Sequence, residues 1–397
     1  MPRRSACMYE TSATETRVSQ TSKVKYGSFY RPELDILRFV AFLLVFLCHS
    51  LPGDLSLYGR LLGPGILPEL CIGMVHGGAY GVDLFFCLSS YLITTLLLRE
   101  QGARKTIDVR SFYLRRVLRI WPLYFVYLLF IIPSLSVFLP AVGLPLPYVC
   151  GFLLLAGNWT VVAWGFPISP AGILWSVSIE EQFYLAWPMV MKRWSHRLVP
   201  ICWGLLVLAF SMRVALVLTG ASGDAIFCNT FARLDPIAAG ALAAWFLRGR
   251  LPKLNSLVRV SLVLSGLLII GTCGAIGSRS GILALVTFPA ATLSSLLMLI
   301  GALGADVSLI PKWISTSLVH CGRISYGLYV FHTVAIDVSR VILPLHHPSF
   351  VRALEQLVIA LVLTFLSASV SYRYLESPFL RLKERFTYIT SRSLITG

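Results

Sequence analysis

Two ionisable side chains sit eleven positions apart in the apolar run RPELDILRFVAFLLVFLCHS, residues 31–50: Arg38 and His49. At ~100° and ~1.5 Å per residue a helix would place them within roughly 20° of one another, separated by ~16 Å along its axis. Asp35 falls close to the same stripe. One helical face would then carry an acid and a cation near one end and an imidazole near the other. A neutral imidazole is a ready general base near neutral pH. The plainer reading is that Arg38 and His49 each reach toward the nearer membrane surface. Ionisable groups inside apolar spans are costly, which makes each a functional candidate.

Three further constellations carry chemistry. In LWSVSIEEQFYLAWP, Ser178 and Glu181 have the spacing of a capping box, which would account for Glu181 as a helix-start residue. It leaves the adjacent Glu180 unexplained, and Glu180 is expected beside His49, orienting it or balancing its charge. In FYLRRVLRIWPLY, Arg116 and Arg119 are one helical turn apart with Arg115 adjacent. Such a cluster either fixes membrane orientation or forms a guanidinium fork for phosphate. Asp83, and Arg233 with Asp235, are read as intramembrane pairs that lock helix packing. His332 and Tyr326 lie in ISYGLYVFH, where His332 reads as a satisfied core histidine and Tyr326 as a supporting residue. His346 and His347 fall in a loop with no chemistry assigned. The sequence contains no Gly-rich phosphate loop, serine nucleophile elbow or metal-ligand cluster.

The elements that hold these residues follow from composition. Of 397 residues, 56% are hydrophobic and only 13% charged, with a mean hydropathy of +0.77. A soluble domain usually carries about a quarter charged residues. Apolar runs of span length recur near 34–51, 79–98, 117–139, 174–191, 198–219, 231–247, 257–276, 281–303, 320–339 and 353–374. The expected fold is therefore an all-α, polytopic transmembrane bundle of about ten spans. Cations concentrate in alternate loops, among them Arg99, Arg104, Lys105 and Arg110, then Lys192, Arg193 and Arg197, then Arg248, Arg250 and Lys253. That alternation predicts a cytoplasmic N-terminal tail over 1–33, a membrane domain over 34–376 and a cytoplasmic C-terminal tail over 377–397. It also explains the net charge of +16 without nucleic acid. Residues 148–163 are apolar enough to cross, but a crossing there would invert every later loop. A re-entrant segment preserves the charge pattern. The first run lacks a cleavage signature and reads as an uncleaved span. Nine scattered cysteines, with no Cys-x-x-Cys pair, argue against a zinc site or a disulfide scaffold; a bridge between Cys71 and Cys228 has only loop placement in its favour.

With these motifs in hand, the chain resembles acyltransferase family 3, bacterial membrane O-acyltransferases that decorate surface sugars and some small molecules. The resemblance rests on seven phrases in order: RPELDILRFVAFLLVFLCH, GVDLFFCLSSYLIT, FYLRRVLRIWPLY, LWSVSIEEQFYLAWP, RLDPIAAGAL, ISYGLYVFH and YRYLESPF. It implies a ten-span core, an arginine-to-histidine pair matched by Arg38 and His49, and an Arg-x-x-Arg pair matched by Arg116 and Arg119. One departure is visible, Ser90 standing where the family usually has glycine. The hydrolase-like outer domain of some relatives is expected to be missing beyond Glu376. The implied reaction moves an acyl group, most simply acetyl, from cytoplasmic acyl-coenzyme A to a hydroxyl of a sugar, glycolipid or small molecule, at a bacterial cytoplasmic (inner) membrane. Arg115, Arg116 and Arg119 would hold the donor's phosphates and Arg38 would steer the thioester. His49, supported by Glu180, would act as base or transient acyl carrier in one polar passage shared with Arg38. The rival class is a transporter or flippase for a lipid-linked sugar; no inverted repeat or paired broken helix supports it.

Overall fold

A computed structural model describes residues 30–277, 279–344 and 350–387. The expected tail before Tyr30, His346 with His347, and the last ten residues lie outside that range. Among the described residues the chain is helical, without strands.

Each of the ten apolar runs falls on a helix, but fewer than ten helices are long and apolar enough to cross a bilayer. Six runs qualify: Ile66–Arg104, Val109–Phe138, Pro170–Leu218, Ser256–Ile276, Ala284–Ala302 and Phe350–Phe386. A seventh is reached if Pro32–Ser50 and Leu55–Leu62, bent by 98°, count as one span. Three causes reduce the number. The run 320–339 is broken at Ile324 between the helices Lys312–Arg323 and Ser325–Ile342, and neither qualifies. Expected spans four and five merge into the continuous helical run Pro170–Leu218. The Leu234–Leu247 helix has only 14 residues, about 21 Å of rise against the ~30 Å hydrocarbon core. The expected re-entrant segment is two eight-residue helices, Leu146–Leu153 and Gly157–Trp164. Each rises about 12 Å, too little to cross. Leu155, at φ 56°, turns the chain between them.

Helices pack closely where side chains are smallest. A Cβ on Gly240 would come within 2.2 Å of the Cys87 carbonyl oxygen, so the Leu234–Leu247 and Gly81–Arg104 helices meet at backbone distance there. Ser90 fits that seam because its hydroxyl donates to the Ile237 carbonyl at 2.6 Å. Gly322 lies equally close to the Asp35 carbonyl, which docks the Lys312–Arg323 helix on the opening helix beside Arg38.

The intramembrane pairs are interhelical. Arg233 does not pair with its near neighbour Asp235; it reaches Asp83 at 2.8 Å, and Asp235 pairs with Arg213 at 3.0 Å. All four are buried. The aromatic faces of Phe227 and Phe288 lie 4.7 and 4.9 Å from the Arg233 guanidinium carbon. The two pairs clamp three helices together, the packing role expected of Asp83, Arg233 and Asp235. Cys71 and Cys228 are both free thiols.

Candidate functional site

Arg38 and His49 do lie on the opening helix, Pro32–Ser50, but they open into different chambers. Pro32 at the helix start supplies a preset φ, and Glu33 and Asp35 in the first turn complement the helix dipole.

The first chamber gathers Asp35 and Arg38 from this helix, Arg116 and Arg119 from Val109–Val126, Glu180 and Tyr184 from Trp175–Trp194, and Tyr326 and Tyr329 from Ser325–Ile342. Arg31 and Lys383 also line it. Five cations (Arg31, Arg38, Arg116, Arg119, Lys383) thus face two carboxylates (Asp35, Glu180). Asp35 accepts from Arg38 at 3.0 Å and holds that guanidinium in place. The Arg116 guanidinium sits between the rings of Phe112 and Tyr184, 5.6 Å from each centroid. Tyr184 donates to Glu180 at 3.0 Å, so Ser89, 2.5 Å from the same hydroxyl, must donate to Tyr184. Tyr326 donates to the Ile120 carbonyl at 3.0 Å, pinning the Arg119 turn to the neighbouring helix.

The second chamber holds His49 with Phe166, Trp175, Phe227 and Thr333, and the charged residues Asp224, Arg279, Asp337 and Arg340. His49 Nδ1 lies 2.8 Å from the Val45 carbonyl oxygen. A carbonyl oxygen only accepts, so Nδ1 carries the proton and Nε2 of the neutral ring holds a lone pair. The ring is open to the chamber.

Four expectations need correction. Glu180 does not support His49: it belongs to the arginine chamber and takes its hydrogen bond from Tyr184. Arg38 and His49 do not line one cavity: the two chambers meet at Val82, and Tyr329 Oη and Ser176 Oγ, 2.6 Å apart, are on the arginine side. Arg115 turns out of the chamber, donating to the Phe386 carbonyl at 2.8 Å and reaching Glu100 at 3.3 Å. It straps the C-terminal segment to the bundle. Ser178 and Glu181 form no capping box, because their helix starts at Trp175, too early for Ser178 to cap it. Ser178 donates back to Leu174 O at 3.2 Å, and Glu181 accepts from Trp121 Nε1 at 3.0 Å.

His332 is fully buried and only half satisfied. Its Nδ1 lies 2.6 Å from the Tyr329 carbonyl, while Nε2 has no partner among the described residues. Its ring centroid is 5.2 Å from that of His49, edge to face. Sequence reasoning missed this pairing, and it missed Tyr184, Ser176 and Tyr329. The last three sit inside the quoted motifs, and Arg31 and Lys383 join them only when the helices pack.

A family model described as an acyltransferase domain matches residues 31–373. The chain is similar to the peptidoglycan O-acetyltransferase OatA of Listeria monocytogenes, at 26% identity in an alignment that covers 89% of this chain and 56% of that protein. It is similar to the O-acetyltransferase OatA of Staphylococcus aureus, at 27% over 333 residues, 79% of this chain and 54% of that one. A putative O-acetyltransferase of Staphylococcus aureus matches at 26% over 326 residues, 76% and 53% of the two chains. The chain spans about half the length of these relatives. No solved structure matches it.

Proposed function

Because this chain belongs to acyltransferase family 3, we propose that it is a membrane O-acetyltransferase drawing an acetyl group from acyl-coenzyme A and delivering it to a hydroxyl of a carbohydrate. The observation that carries this reading is the convergence of five cations from separate elements on one chamber with two carboxylates. Such an excess of positive charge suits a polyanion, and coenzyme A carries a diphosphate and a further phosphate. Arg116 and Arg119 take those phosphates, with Arg31 and Lys383 at the same mouth. Arg38, held by Asp35, faces the thioester. Glu180 is a donor-side group in this reading.

The acceptor enters the second chamber, where aromatic walls suit the apolar face of a sugar ring and the carboxylates suit its hydroxyls. His49 Nε2 takes the hydroxyl proton or first takes the acetyl group itself. Peptidoglycan, named for the Listeria relative, is the acceptor class to test first. In this reading the chain is integral to the bacterial cytoplasmic membrane, with both termini and the arginine chamber on the cytoplasmic side. The cation-rich loops and the donor's location support that orientation.

The test uses purified protein in nanodiscs with labelled acetyl-coenzyme A and muropeptide or oligosaccharide acceptors. Acceptor-dependent consumption of thioester is expected, together with its loss in His49→Ala. Full transfer by a folded His49→Ala protein would refute the site. Movement of a lipid-linked sugar without thioester consumption would refute the reaction.

A further inference from the structure

We infer that the acceptor carries an anionic group beside its reactive hydroxyl, and that Arg279 reads it. The inference rests on the O-acetyltransferase reading above and deepens it by naming the charge of the acceptor.

Arg279 is the only cation between the Ser256–Ile276 and Ala284–Ala302 helices. It stands outside the cation-rich loops, so membrane orientation does not account for it. It lines the chamber that holds His49, and its charge reaches that imidazole. The guanidinium carbon lies 4.5 Å from the centre of the Phe227 ring, which stacks the cation on the chamber wall. A Cβ on Gly223 would come within 3.4 Å of the Arg279 Cβ. The start of the Gly223–Cys228 helix therefore packs on the stem of this side chain and fixes where it emerges.

Other arginines of the bundle are committed. Arg213 and Arg233 each pair with a buried carboxylate, and Arg38 pairs with Asp35. Arg340, the second cation of this chamber, divides between Asp337 at 3.4 Å and the His49 carbonyl at 3.3 Å. Arg279 makes no ion pair or hydrogen bond among the described residues. The ring contact covers one face of its guanidinium and leaves the N–H donors at the edge, whose fork matches a carboxylate or phosphate. A cation so placed gives up hydration and meets no protein charge in return, a cost that an anionic ligand offsets. Asp224, on the same chamber wall, makes no ion pair among the described residues either. It stays open to accept from hydroxyls, so the wall fits one molecule that bears both a hydroxylated ring and an anion. The carboxylate of an acidic sugar and the phosphate of a lipid-linked one share that chemistry.

The test measures acceptor kcat/KM for the full chain in nanodiscs with labelled acetyl-coenzyme A. The probes form two matched pairs: an oligogalacturonate with its methyl ester, and a hexose 1-phosphate with the free hexose. A directed guanidinium contact should favour the anionic member of a pair by about 10- to 150-fold. Arg279→Gln should bring that ratio close to one, Arg279→Lys should keep part of it, and coenzyme A affinity should hold in both. High salt should shrink the preference in the parent, a reading that needs no variant to fold. Preference for the acid over its ester assigns a carboxylate, and preference confined to the sugar phosphate assigns a phosphate. Equal use of charged and neutral partners by the parent, or a preference untouched by salt or by Arg279→Gln, overturns the inference and leaves the reaction intact. A parent that consumes no thioester with any acceptor overturns the reaction, and the inference falls with it.

Discussion

Removing the Arg116 guanidinium should weaken donor binding with little effect on the fold. The structure sets the size of both effects. Arg116 makes no ion pair among the described residues; it is held by two ring faces and its Nε is buried without a partner. Each ring contact is worth about 0.5–1 kcal/mol, so Arg116→Ala should cost at most about 2 kcal/mol of stability. The phosphate bond proposed for it would be charge-assisted and worth about 1.5–3 kcal/mol. At about 1.4 kcal/mol per tenfold, coenzyme A should bind about 10- to 150-fold more weakly. Calorimetric titration of coenzyme A into protein in nanodiscs, beside a thermal melt, reads both quantities. Arg115→Ala is the matched control one residue away. That side chain is committed to Glu100 and the Phe386 carbonyl, so its loss should lower the melting temperature and leave coenzyme A affinity in place. Unchanged affinity in a folded Arg116→Ala protein would refute the phosphate role. Equal weakening by Arg115→Ala would show that the effect is diffuse charge rather than a directed contact.

Asp83→Ala leaves Arg233 charged and buried without its partner, and should cost about 3–5 kcal/mol, read as a lower melting temperature; adding Arg233→Met should recover much of that loss. Gly240→Ala pushes a methyl group against the Cys87 carbonyl and should destabilise by about 1–3 kcal/mol. Gly204→Ala meets nothing within 4 Å and should leave the melt unchanged or raise it. Glu181→Gln keeps an acceptor for Trp121 Nε1 and should melt like the parent, whereas Glu181→Leu strands that donor and should cost about 1–3 kcal/mol, with a shift in tryptophan emission.

Helix positions were legible because apolar runs and helix periodicity are local properties. All ten runs lie on helices, and 148–163 is occupied by two short helices rather than one long one. The span count was not legible, because a hydropathy window measures composition and not where a helix stops. Leu234–Leu247 shows the difference. The chain before it is pinned by Arg233 and Asp235 reaching to Asp83 and Arg213, on two other helices. Arg213 lies in the middle of an apolar run with no acid nearby in sequence, so nothing local marks it as half of a pair. The local Arg233–Asp235 spacing suggested the wrong partner for the same reason.

The candidate site residues divide along the same line. Arg38, His49, Arg116 and Arg119 were visible because each breaks an apolar pattern, and a helical wheel correctly puts Arg38 and His49 on one helix at opposite depths. A wheel cannot show what another helix inserts between them. Tyr329 and Ser176 come from helices far apart in sequence, and both line the arginine chamber but not the one that holds His49. That division reassigns Glu180. Read along its own helix it belongs with any polar group at the same depth; read across the bundle it lies on the arginine side, tied to Tyr184. It also promotes His332, whose significance is a ring contact with His49 from 283 positions earlier in the chain. Residues that divide two chambers are apolar or neutral in sequence, Val82 among them, and become identifiable only when both chambers are seen at once.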